Sequence, residues 1–109
     1  MDGPDSPVRS IDAIDIVGVR KDGGVDTVIV CAGALDDSET TLESLRLKIR
    51  YYLSDIANES FAKQYGTGPV RIFVACEHEV SVQARQLIDD LAHEAARQRV
   101  LLVLGNPAT

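Results

Sequence analysis

Lys21-Asp22-Gly23-Gly24 separates two runs rich in β-branched residues, 11–19 and 25–32. An Asp-Gly-Gly turn between two such runs is the strongest short-range hairpin signal, because glycine supplies the positive φ that tight hairpin turns demand. The first two strands are therefore predicted to be antiparallel. The rest of the chain is placed from them.

Downstream, Gly33-Ala34-Leu35-Asp36-Asp37-Ser38-Glu39 breaks the second strand and prepares a helix. Thr40-Thr41-Leu42-Glu43 fits a capping box, in which the Thr40 hydroxyl satisfies an orphan amide and Glu43 reaches back, and Ser38 also reads as a cap. Leu42, Leu45, Ile49, Tyr52, Leu53 and Ile56 recur at three- and four-residue spacing, the stripe of an amphipathic helix. Arg46, Lys48 and Arg50 are placed off that stripe, and Tyr51 and Tyr52 bracket one packed face. The helix is predicted to fray at 58–60, with Phe61 and Tyr65 anchoring the segment before the turn Gly66-Thr67-Gly68-Pro69. A third strand follows over 70–76, with Val70, Ile72, Val74 and Cys76 on one face. Ser81 reads as the N-cap of a second helix, whose stripe is Ala84, Leu87, Ile88, Leu91, Ala92 and Ala95. Residues 100–104 are apolar without alternation, as in a strand covered on both faces.

The order ββαβαβ with two right-handed crossovers gives an α/β two-layer sandwich. It predicts a four-stranded mixed sheet in spatial order 1-2-3-4, with two helices on one face. The other face is left open, with Arg71 and Phe73 half exposed on it. Such a face suits a protein partner or a homodimer. The domain is expected to span 11–105, between a disordered leader at 1–10 and a disordered tail at 106–109.

The chain has 109 residues, 45% hydrophobic and 26% charged, enough for one core without staples. Its net charge of −6 argues against nucleic acid and anionic membrane as partners, since both need a basic field. The acidic, Pro/Gly-rich start is the reverse of a signal peptide, and no apolar run approaches a membrane span, so a cytoplasmic location is expected. Cys31 and Cys76 lie in apolar runs and read as small buried hydrophobes, not as a disulfide framework or a CxxC site.

Strands two and three are predicted to end at one sheet edge, the customary place for ligand sites. That edge collects Asp36, Asp37, Glu39, Glu77, His78 and Glu79. Asp36, Asp37, Glu77, His78 and Glu79 are the candidates for a cation site, or for an acid/base pair built on His78. Against this stands simple complementarity of acids to helix N-termini, which needs no ligand. The spacing of Glu77-His78-Glu79 matches no zinc motif. His93 lies four residues from both Asp89 and Arg97 and reads as part of a solvated helix face. The glycine turns match no phosphate-cradling fingerprint.

Residues Ile11-Asp12-Ala13-Ile14, the hairpin, the Leu35-Asp36 step and the helix Leu45…Lys48-Ile49…Tyr52-Leu53 together resemble a family of small bacterial proteins of unknown function. The resemblance runs from residue 11 to residue 104. Members of that family carry a tryptophan after the Leu-Asp step, where this chain has Asp37. It implies a fold and no chemistry. The element order and Gly33-Ala34-Leu35-Asp36 are also similar to STAS domains of anti-sigma-factor antagonists. In those, a serine in an Asp-Ser-Ser-Gly stretch before the second helix is phosphorylated; the matching stretch here is Glu79-Val80-Ser81-Val82. Ser81 is thus the position that resemblance marks for phosphorylation.

With no cofactor signature and no catalytic constellation, the reading is a non-enzymatic protein-interaction module. The competing readings are a small enzyme or metal site around His78, and a phospho-regulated switch through Ser81.

Overall fold

In the computed structural model, which describes Val8 and residues 14–105, the hairpin forms around its glycines. The Gly23 N–H donates to the Arg20 carbonyl (3.0 Å), and Gly23 then adopts φ 90°. A tight turn closed by a left-handed glycine matches the twist of the strands it joins. Those strands are β1 (Ile16–Val19) and β2 (Val25–Cys31), paired antiparallel with Ile16 opposite Val28. β1 is shorter than the run 11–19 suggested: Asp15 already bends away, and 11–13 lie outside the described residues. The expected leader and tail also fall outside them, except Val8, which is buried and bridges Cys31.

β3 (Val70–Cys76) and β4 (Val100–Leu104) complete the sheet in the order β1-β2-β3-β4, both parallel to β2. The fold is the predicted α/β sandwich with a mixed four-stranded sheet. α1 (Glu39–Ile56) and α3 (Val82–Arg97) contribute Leu45, Ile49, Tyr52, Leu53, Ala84, Ile88, Leu91 and Ala95 to the core. They meet Ile29, Cys31, Ile72, Val74, Val100 and Leu102. These strand residues alternate along each strand, so both helices pack on one sheet face.

The parallel pairing is pinned at its start by two loops in contact. Val25 N–H donates to the Pro69 carbonyl (2.8 Å). A Cβ at Gly68 would lie 2.0 Å from the Gly23 carbonyl oxygen, so only glycine lets the hairpin turn and this loop approach so closely.

Four expectations need correction. The α1 N-cap is Ser38, whose hydroxyl accepts from the Thr41 amide (3.2 Å), and not Thr40. Asp36 holds Ser38 in place by accepting from its N–H (3.0 Å), which sets the cap two residues early. Residues 58–60 do not fray: Asn58 caps a third helix, α2 (Glu59–Tyr65), so the described residues form three helices. Phe61 and Tyr65 do anchor that segment, with ring centroids 4.8 Å apart and Phe61 buried. β4 takes the edge place that the order 1-2-3-4 gives it but is not covered on both faces, since Leu101 is 56% exposed. Lys48, placed off the stripe, is fully buried on it.

Candidate interaction surface

The side chains on the sheet face opposite α1 and α3 follow from the register. One row runs Ile16, Val28, Phe73, Val103; the next runs Gly18, Asp26, Arg71, Leu101; Val30 and Ala75 form a third. Only Asp26 and Arg71 in these rows are charged, and they pair with each other. Arg71 donates to both Asp26 oxygens at 2.7 Å, and Arg20 donates to the same carboxylate. The Arg71 hydrogen bond holds the Asp26 carboxyl below its usual range, Arg20 adding to the effect against partial desolvation. Such a bidentate pair fixes both side chains and cancels their charge.

Arg71 is half-buried, as predicted, but Phe73 is not half exposed. Its exposure is 6%, with the Arg71 guanidinium carbon 5.1 Å from its ring centroid. A guanidinium over an aromatic face is attracted by the ring quadrupole, and its stem shields the ring from water. The apolar groups this face offers are instead Ile16, Val30 and Leu101, around a closed centre.

No family model matches this chain, and no curated protein and no solved structure is significantly similar to it.

At the carboxyl edge of the sheet, the structure brings together most of the residues singled out there. Asp36, Asp37, His78, Glu79 and Ser81 line a shallow groove of about 570 Å³ with Arg85; Glu77 does not line it. The two loops are tied by Leu35 N–H to the Glu79 carbonyl (2.9 Å) and Ser81 N–H to the Leu35 carbonyl (2.7 Å). Several polar groups have structural work. Ser81 caps α3, accepting from Ala84 N–H (3.1 Å). Hydrogen bonds from Ser38 hold the Asp36 carboxyl below its usual range. Among the described residues no group of three or more His, Cys, Asp or Glu side chains is arranged to hold a metal ion. On α3, His93 Nδ1 lies 2.9 Å from the Asp89 carbonyl oxygen rather than its carboxylate. At the opposite edge, a groove of about 430 Å³ between Phe61, Pro69 and Val100 has Arg99 as its one titratable lining residue.

The sequence reading missed a polar network beneath the sheet. Lys48 Nζ donates to Asp15 Oδ1 at 2.8 Å, and Asp15 Oδ2 accepts from Val30 N–H at 3.0 Å. The Tyr52 hydroxyl donates to the Val28 carbonyl (2.7 Å) and accepts from Asp15 N–H (2.8 Å). Where β1 leaves β2, the Asp15 carboxylate and the Tyr52 phenol thus take over bonds a longer strand would have made. Burial pushes the Tyr52 phenol up, with the Asp15 charge acting in the same direction, so it stays protonated to donate. The signal was present in the spacing: Lys48 follows Leu45 by three and precedes Tyr52 by four. Asp15 is also the one acid in the run 11–19 after Asp12. No described helix is long and apolar enough to cross a membrane.

Proposed function

We propose that this domain is a non-enzymatic interaction module whose partner is a second copy of itself, met through the sheet face opposite α1 and α3. The observation that carries this reading is the distribution of charge. The chain bears −6 overall, so two copies repel at a distance. Its acids gather at the carboxyl edge and along α3, where Asp89, Asp90 and Glu94 lie. On the opposite sheet face Asp26 pairs with Arg71, Arg20 is shared between Asp26 and Asp22, and the remaining groups of the strand rows are apolar. Two acidic chains can close there without setting like charges against each other. The apolar groups Ile16, Val30 and Leu101 supply the area such a contact removes from water.

Light scattering on a sizing column tests the idea. The native chain should run as a dimer at high micromolar concentration, and Leu101→Lys should run as a monomer with an unchanged thermal midpoint. Leu101 is an exposed edge residue, so its replacement leaves the core intact. A strictly monomeric native chain, or a dimer indifferent to Leu101→Lys and Val30→Lys, would overturn the proposal.

A further inference from the structure

Cys31 and Cys76 are register partners on adjacent parallel strands, each the last residue of its strand. Residues paired in this way project to the same sheet face, here the one packed by the helices. Neighbouring strands are spaced about 4.8 Å apart. That lies within the roughly 4.4–6.8 Å between Cα atoms that a disulfide tolerates. Beyond the pair the two connections stay tied through the Leu35–Val80 bridge, which keeps the cysteines side by side. Both cysteines are free thiols, Cys31 buried and Cys76 partly exposed.

The two are also chemically unequal. The neighbouring Cys31 thiol holds the Cys76 thiol below its usual range, against desolvation. The Cys76 neighbour, followed by burial, pushes Cys31 up. Cys76 is thus the thiol that gives up its proton more readily, and Cys31 the one that keeps it.

We propose that Cys31 and Cys76 form a two-electron redox site, in which a hydroperoxide converts the pair into a disulfide within one chain. The partly exposed Cys76 sulfur, as its thiolate, attacks the peroxide oxygen; the O–O bond breaks and the alkoxide or hydroxide leaves, taking a proton from solvent. Cys76 becomes a sulfenic acid. The Cys31 sulfur then attacks the Cys76 sulfur, the S–O bond breaks, and the departing hydroxide takes the Cys31 proton as water. In sum, two thiols and one hydroperoxide give one disulfide, one alcohol or water, and one further water. The sulfur atoms are oxidised by two electrons and the peroxide is reduced by two. This site is independent of self-association through the opposite sheet face.

The test is intact-mass spectrometry of the reduced full chain treated with hydrogen peroxide. The expected product has lost two hydrogens and both titratable thiols, yields a Cys31–Cys76 linked peptide, and returns to the starting mass with dithiothreitol. In Cys31→Ala, dimedone should trap a sulfenic acid at Cys76. In Cys76→Ala, Cys31 should stay unmodified while the chain is folded. The native chain alone already decides the matter, so a poorly folding variant does not. Over-oxidation of Cys76 beside an intact Cys31 thiol, a disulfide joining two chains, or two unreacted thiols would each overturn the proposal.

Discussion

Lys48 has no exposed surface, and its ammonium sits on the Asp15 carboxylate with the Tyr52 ring centroid 5.8 Å away. Taking one partner from a buried ion pair leaves the other desolvated and uncompensated, which typically costs about 3–5 kcal/mol. Lys48→Met keeps the apolar stem and removes the charge, so it isolates that effect from loss of packing. Urea unfolding should show destabilisation of roughly 3 kcal/mol with an unchanged slope. A loss below roughly 1 kcal/mol, the scale of a surface pair, would mean that water reaches the site. At this scale the sequence was legible wherever side-chain type and spacing agreed. Leu45, Ile49, Tyr52, Ala84 and Ile88 all lie where the helical period put them. Lys48 was grouped with Arg46 and Arg50 off the stripe because of its charge, although its spacing to Leu45 and Tyr52 puts it on the stripe. Its burial depends on an acid 33 residues away, which no local pattern reveals.

At the scale of the element, strands β3 and β4 were bounded by their glycines and prolines and are found where expected. Helix starts were harder. Ser38 and Thr40 both offer a hydroxyl two residues apart, and the four-residue pattern favoured Thr40, whereas the Asp36 turn selects Ser38. α2 has only seven residues, too few to show a period and too few to be stable alone. Its burial of Phe61 sustains it. Between β2 and β3 the Asp26–Arg71 pair acts as a clamp, and its pH dependence follows from the lowered Asp26 carboxyl. A carboxyl depressed on folding contributes stability that is complete above the ordinary aspartate value of about 3.9. That contribution is lost as pH falls through the depressed value. Asp26→Asn should therefore melt lower than the native chain at neutral pH, and the gap should close as the pH drops below about 4. Thermal melts across that range check it; a gap that stays constant to the lowest pH would show that the clamp works without its charge.

Across the whole molecule, the sheet order and the placing of both long helices on one face followed from connectivity, because each crossover has one favoured hand. The open face itself was foreseeable, but the sinking of Phe73 beneath Arg71 was not, since it depends on where one flexible side chain settles. Self-association through that face has an ionic-strength signature. Two copies, each at −6, repel over the screening length. Raising salt from about 0.05 M to about 0.5 M shortens that length roughly threefold and should strengthen the dimer. Sedimentation equilibrium at the two salt levels reads this directly. Weakening with salt would mean that attraction between charges, not apolar contact, holds the copies together.

The bonds joining Asp15, Lys48 and Tyr52 carry an implication for inheritance. Asp15 lies before the first strand and Lys48 in the first helix, yet the charge of each is balanced by the other. Selection cannot alter these two positions independently. A descendant that loses the acid at 15 is expected to replace the lysine at 48 with an apolar residue. The phenol at 52 is freer, because its donor and acceptor are backbone groups of residues 15 and 28, which any residue but proline at 15 still supplies. Two letters of the chain 33 residues apart thus behave as one heritable unit.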